Sequence, residues 1–277
     1  MASIGVFDSG FGGLTVLRDL KNLLPQYNYL YLGDNARTPY GNRSFETVYH
    51  YTRQAVKWML DQNCQLVIIA CNTASAKALR TIQQRDLPQW SVEKRILGVI
   101  RPTAEVIGTY SKSGTIGILA TTGTVNSESY LLEIKKFFPG LKVFQQACPL
   151  WVPLIENNEA HTEGAQFFIE RDVKRLLNQS PEMDTILLGC THYPLITNQI
   201  KEATGSHIRI VSQGVLTAEA LKDYLNRHPE IENKCRKDSI CRFYTTDDAS
   251  DFEKLAVVFY GEPVKALHTD FFAPQGS

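Results

Sequence analysis

An α/β fold of two similar domains, each a mostly parallel sheet flanked by helices, is what this sequence predicts, and three observations predict it. Short apolar runs alternate with amphipathic segments from end to end, the pattern of strands covered by helices. Two segments recur in the same order. IGVFDS at 4–9 resembles IGILAT at 116–121, an offset of 112 (116 − 4). VIIACNT at 67–73 resembles TILLGCTH at 185–192 once Cys71 is aligned with Cys190, an offset of 119 (190 − 71). Nearly equal offsets point to one α/β unit used twice. Third, these runs end in polar clusters, and open α/β sheets bind ligands outside the carboxyl ends of their strands.

The elements follow in order. Residues 4–7 read as a first buried strand. Val16, Leu17, Leu20 and Leu24 form a helical stripe that Pro25 stops. Residues 29–32 make a second strand, and Tyr27, Tyr29 and Tyr31 alternate as one strand face, read as core or interface. Residues 45–60 are long and helix-periodic, 66–70 form a third strand, and 74–85 are helical. Further strands are expected at 96–100, 116–120, 141–144, 186–188, 208–211 and 242–245, with helical stretches between most of them.

Composition narrows the function classes. Twenty-nine basic residues balance 29 acidic ones, which argues against a general binder of nucleic acid or anionic membrane. With 43% apolar and 21% charged residues, the 277-residue chain can bury a sizeable core. The longest apolar run, 66–71, is far below the roughly 18 residues a membrane helix needs. No basic lead-in precedes Asp8, so the amino terminus is not read as a signal peptide. Six cysteines are too sparse for a disulfide scaffold, and they are expected to be reduced thiols of a cytoplasmic protein.

Three polar clusters carry the chemistry. Asp8-Ser9-Gly10-Phe11-Gly12-Gly13 is a strand-to-helix turn able to present N–H groups to an anion. Thr15 stands where a dinucleotide fingerprint needs its third glycine, and no Gly-Lys-Ser/Thr ending follows, so a carboxylate suits the turn better than a phosphate. Cys71-Asn72-Thr73-Ala74-Ser75 and Cys190-Thr191-His192-Tyr193-Pro194 each put a thiol at a strand end before a helix start, where the positive helix end favours thiolate. Two such thiols in equivalent places of two similar halves point to one shared site between the halves.

Two thiols facing one carbon from opposite sides can remove a proton from one face and deliver one to the other, which inverts a stereocentre. The reaction needs one thiolate and one thiol, and free thiols with a pKa of about 8.5 can be tuned to either role. Asp8 near one of them would keep that thiol protonated, because like charges resist coexisting. A single Cys–His pair acting as a hydrolytic nucleophile and a non-catalytic module closing on an acidic ligand remain open alternatives. No metal site is expected: Cys235 and Cys241 are separated by five residues with no second ligand pair, and Cys71, Cys190 and His192 lack a fourth ligand. His50, His161, His207, His228 and His268 are isolated, and Cys64 and Cys148 are read as packing residues.

The segments GVFDSGFGGLTVL (5–17), YLGDNARTPYG (31–41), IIACNTASA (68–76), GVIRP (98–102) and LLGCTHYPL (187–195) closely resemble glutamate racemases of the aspartate/glutamate racemase family. The resemblance spans the chain as far as TTDDASDFEKLAVVFYG near its end, and CNTAS, PYG and GCTHYP in that order make it very specific. It implies a cofactor-independent enzyme that interconverts L- and D-glutamate for bacterial cell-wall synthesis. Racemization of aspartate or another small amino acid is the same-class alternative.

Position by position, the resemblance implies that Cys71 is the base acting on the D-isomer and Cys190 the base acting on the L-isomer. Asp8 assists the first thiol, and His192 with Glu156 (in PLIENNE) assists the second. Asp8, Ser9, Tyr40, Gly41, Asn72, Thr73, Thr121, Thr191 and His192 match substrate contacts. These supply hydroxyls, an amide and backbone N–H groups, fit to hold two carboxylates and an ammonium. The implied fold has its active site between two domains, the first taking 1–97 plus 211–277 and the second 98–210. Relatives are often homodimers with differing subunit arrangements, which leaves an interface open. Two places depart from the common pattern: Ser212-Gln213 stands where many relatives have Asp-Ser, and Arg101 where many have an acid. The extension tied to activation by a cell-wall precursor in some relatives has no counterpart before Asp8, so no such activation is expected.

Overall fold

A computed structural model describes residues 2–271; residue 1 and residues 272–277 of the expected first domain lie outside the described residues. In chain order the strands are β1 (Ser3–Asp8), β2 (Tyr29–Gly33), β3 (Cys64–Ile69), β4 (Arg95–Gly98), β5 (Thr115–Ala120), β6 (Lys142–Ala147), β7 (Thr185–Gly189), β8 (Arg209–Val211), β9 (Cys241–Thr245) and β10 (Ala266–His268). They form two sheets, ordered β10-β9-β2-β1-β3-β4 and β6-β5-β7-β8. Every pairing is parallel.

The repeat seen in the sequence is visible in this topology. β1 lies between β2 and β3, and β5 lies between β6 and β7, with β4 and β8 at corresponding edges. β1 therefore corresponds to β5, and β3 to β7, the two pairs that the offsets had matched. Both Cys71 and Cys190 fall just past the carboxyl ends of corresponding strands.

Burial explains the strand sequences. β1, β2, β5 and β7 are buried along their whole length, so their residues read as near-continuous apolar runs. Tyr27, Tyr29 and Tyr31 all join the core. The helix Gly13–Leu23 buries Leu14, Val16, Leu17 and Leu20 and packs on the helices Gln213–Arg227 and Ala249–Tyr260. Truncating one of these leucines to alanine would cost about 2–5 kcal/mol.

Four expectations need adjustment. The strand expected at 96–100 stops at Gly98, and Ile100 already opens the helix Ile100–Val106. Pro102 sits in its first turn, where a missing N–H costs no hydrogen bond. The helix expected over 74–85 starts at Asn72, continues to Trp90 and passes through a π-helical turn at Ile82–Asp86. Pro88 cannot donate to the carbonyl four residues back, and the wider turn precedes it. The strand at 141–144 extends to Ala147 because its added glutamines lie on an edge strand. β10 escaped the reading because three edge residues carry too little pattern.

Candidate active site

The carboxyl ends of the two sheets meet around a small cavity lined by residues of both. Ser9, Tyr40, Gly41, Cys71, Asn72 and Thr73 wall it from the first sheet's side. Thr121, Cys190, Thr191 and His192 wall it from the second. Asp8 and Glu156 are not on the wall; each stands behind a residue that is. Cys71 and Cys190 are both 6% exposed, so each sulfur-bearing residue is buried yet borders the same cavity.

Cys71 caps the helix Asn72–Lys77, its Sγ accepting from the Ala74 N–H at 3.4 Å, and it donates to Ser9 Oγ at 3.5 Å. Burial pushes this thiol up to about 12, and the nearby Asp8 carboxylate adds to the rise. The sequence had pointed to Asp8 alone; desolvation is the larger cause. Asp8 is fully buried, and burial raises its own carboxyl against the opposing charge of His192. Its Oδ1 accepts from the Gly10 N–H at 3.0 Å and its Oδ2 from Thr191 Oγ1 at 3.3 Å.

Around Cys190 the surroundings differ. His192 Nδ1 lies 3.8 Å from Cys190 Sγ, and His192 Nε2 lies 2.9 Å from Glu156 Oε1. Burial works against a charged imidazole here, yet the hydrogen bonds to Cys190 and Glu156, with their charges, lift His192 to about 10. Glu156 ends the helix Trp151–Glu156, which aims its carboxylate at the ring from outside the cavity. One thiol therefore sits in a neutralising, desolvated niche, and the other beside a cation held by a carboxylate.

The rest of the wall is built from loops that lock together. Thr121 caps the helix Thr122–Asn126 through Thr124 N–H, and its hydroxyl lies 2.9 Å from Thr73 Oγ1. The Gly123 N–H donates to the Gly41 carbonyl at 2.8 Å, and a Cβ on Gly41 would lie 3.1 Å from that of Thr121. Tyr40 follows a cis Thr38–Pro39 bond and donates its hydroxyl proton to the buried Asp34 carboxylate. Asp34 also accepts from Arg37 Nε at 2.7 Å and Thr246 Oγ1 at 2.9 Å.

Several wall residues escaped sequence reasoning: Thr38, Pro39, Asn42, Pro149, Val152 and Pro153. Prolines after β2 and β6 were the only signal they left, and Val152 and Pro153 already lie in the helix Trp151–Glu156. Cys148, read as a packing residue, is buried but also borders the cavity, while Cys64 lies in the core. Burial holds the Cys148 thiol well above the ordinary range, and its Sγ donates to the Gln146 carbonyl at 3.6 Å. Arg101 does not reach the cavity. It is exposed, pairs with Glu105 at 2.9 Å and borders a separate surface groove. Among the described residues no cluster of three or more His, Cys, Asp or Glu could hold a metal, and no helix is long and apolar enough to cross a membrane.

Residues 4–221 match the family model described as Asp/Glu/Hydantoin racemase. The chain is 37% identical to a glutamate racemase of Streptococcus gordonii over 96% of its length and 98% of that protein. It superposes on the crystal structure of a glutamate racemase isoform from Bacillus anthracis with a TM-score of 0.88 at 32% identity, covering 97% of each chain. It is also similar to the glutamate racemase of Francisella tularensis solved in complex with D-glutamate, with a TM-score of 0.86, 28% identity and 98% of each chain covered.

Proposed function

The chain belongs to the Asp/Glu/hydantoin racemase family, and from that premise we propose that it interconverts L- and D-glutamate by a two-base thiolate/thiol mechanism. The observation that carries this reading is that Cys71 and Cys190, one from each sheet, border a single cavity. The D-glutamate it forms supplies peptidoglycan synthesis, and no cofactor takes part.

L-glutamate binds with its two carboxylates against the hydroxyl, amide and N–H groups of Ser9, Tyr40, Gly41, Asn72, Thr73, Thr121 and Thr191. Cys190 is the base for the L-isomer, and His192 stands 3.8 Å from its sulfur. Cys71 is the thiol, held protonated by burial and by Asp8. The Cys190 thiolate takes the α-proton, and the C–H electron pair passes to the α-carbon and its carboxylate. Donors fixed in the wall stabilise that charge as it develops. The Cys71 S–H then delivers its proton to the opposite face, leaving D-glutamate, a Cys190 thiol and a Cys71 thiolate. Reversal starts from that second state, and Asp8 assists the first thiol as His192 and Glu156 assist the second.

Replacing either thiol tests the proposal. Cys71→Ala and Cys190→Ala should each abolish racemization from both isomers, and full activity in either variant contradicts the two-base scheme. Assays over a panel of L-amino acids should show glutamate as the preferred substrate.

A further inference from the structure

We propose that Gln213 and Tyr130 are positioning residues: a chain of hydrogen bonds starting at the Val99 carbonyl fixes which way the Asn72 amide faces in the cavity wall. The inference rests on the reading of Asn72 as a substrate contact.

The direction of every bond in this chain follows from its first member. The Val99 carbonyl can only accept, and it already takes the Thr103 hydroxyl proton at 2.9 Å. The Gln213 amide must therefore turn its Nε2 toward Val99 O, at 3.3 Å, and toward Thr103 Oγ1, at 3.1 Å. Turned the other way, Gln213 Oε1 would face a carbonyl oxygen. That Oε1 has no partner among the described residues, so the amide is held from its N–H side alone. One N–H of this Nε2 is shared between Val99 O and Thr103 Oγ1, and the other goes to the Tyr130 hydroxyl. A phenol that accepts there has one proton left to give, and it goes to Asn72 Oδ1 at 2.6 Å. The Asn72 oxygen is thereby engaged, and its Nδ2 is left buried with no protein partner. Asn72 walls the cavity, so its two N–H donors are reserved for an acceptor such as a carboxylate.

Place in the fold gives the relay its reach. Val99 lies where the chain leaves β4 for the second sheet, and Gln213 where it returns after β8. Tyr130 belongs to the helix Ser129–Phe137 beside the second sheet, and Asn72 to the helix Asn72–Lys77 that follows β3 in the first. The relay thus ties both chain crossings to the substrate wall, and every member is 4% exposed or less.

Steady-state kinetics on the full chain tests this, with L-glutamate and D-glutamate as substrates. Tyr130→Phe keeps the ring and removes the donor; Gln213→Met keeps the length and removes the amide. Each should raise KM about three- to tenfold, the size expected for one misdirected hydrogen bond, with kcat changed less than KM. Because both act through one chain, the double variant should have the KM of Tyr130→Phe rather than the product of the two increases. A space-filling role would lower the unfolding temperature without moving KM. Should Gln213→Met fail to fold, Tyr130→Phe carries the test alone. Asn72→Ala separates the two layers of the argument. If it raises KM while Tyr130→Phe does not, the relay is wrong and the substrate contact stands. If Asn72→Ala keeps the wild-type KM, the assignment of Asn72 is wrong and the relay falls with it.

Discussion

Thr191 Oγ1 donates to Asp8 Oδ2 at 3.3 Å, and this bond joins a carboxylate at the end of β1 to a loop that follows β7. Thr15, in the helix after β1, reinforces the joint by donating its hydroxyl to the Thr191 carbonyl at 3.0 Å. The two corresponding halves therefore touch through the very groups that surround the two sulfurs. Each half supplies one thiol, and Thr191 of the second half bonds the Asp8 carboxylate that attends the first half's sulfur.

Gly12 shows how little slack the joint has. A Cβ there would lie 2.2 Å from Thr191 Oγ1 and 2.4 Å from His192 Nδ1. Gly12→Ala should push both side chains aside and cost about 1–3 kcal/mol of stability. Because a shift of about 1 Å at a reacting group can cost roughly 100-fold, kcat/KM should fall by about that factor. Chemical denaturation and racemization rates measured on the same variant check both expectations.

The raised His192 sets a pH dependence. Above its ordinary value of 6.5 the unfolded chain loses the imidazole proton, while the folded chain keeps it to about 10. The folded state then binds more protons, so this contribution to stability is whole below about pH 6.5 and is lost as pH rises toward 10. Glu156→Gln removes one source of the rise. The variant should show a flatter fall of unfolding temperature between those limits than the wild type, as read by thermal melts across the pH range.

Tyr40 and Asp34 make a separate prediction. Tyr40→Phe leaves the buried Asp34 carboxylate short of one donor, with Arg37 and Thr246 still in place. Stability should drop by about 1–3 kcal/mol, the cost of an unmet buried polar group. Denaturant midpoints measure the loss, and KM should rise as the Tyr40–Gly41 loop loosens.

Cys148 provides a control for the two active thiols. It borders the cavity, but its proton is given to a backbone carbonyl and no carboxylate–histidine pair attends it. Cys148→Ala should therefore keep racemization within about tenfold of the wild-type rate, against a loss of about 10²–10⁴-fold or more for a missing proton-transfer group. Parallel assays of the three cysteine variants give the comparison.

The sequence revealed the two thiols because each stands at a strand end followed by small polar residues, a local pattern. Asp8 and Tyr40 were legible through the motifs that carried the family resemblance, and Glu156 only through it, since PLIENNE alone reads as a polar loop. Gln213, Tyr130 and Asp34 were not legible as parts of the site. The partners of Gln213 and Tyr130 lie far away in sequence (Gln213 meets Tyr130 across 83 residues, and Asn72 meets Tyr130 across 58), so no spacing advertises them. Arg101 lies on the helix that begins at Ile100, which carries it to the outer surface. The π-helical turn before Pro88 and the edge strand β10 escaped for a related reason: both are set by tertiary surroundings that a local pattern does not contain.

The most direct test of the thiol pair follows label in deuterated water, with L-glutamate and no added cofactor. At early times, NMR should find deuterium at the α-carbon of the D-glutamate formed, while the recovered L-glutamate keeps its α-hydrogen. That result is expected because Cys71 delivers a solvent-derived proton and Cys190 holds the one removed. Absence of exchange, or label entering L-glutamate as fast as D-glutamate, would contradict the account.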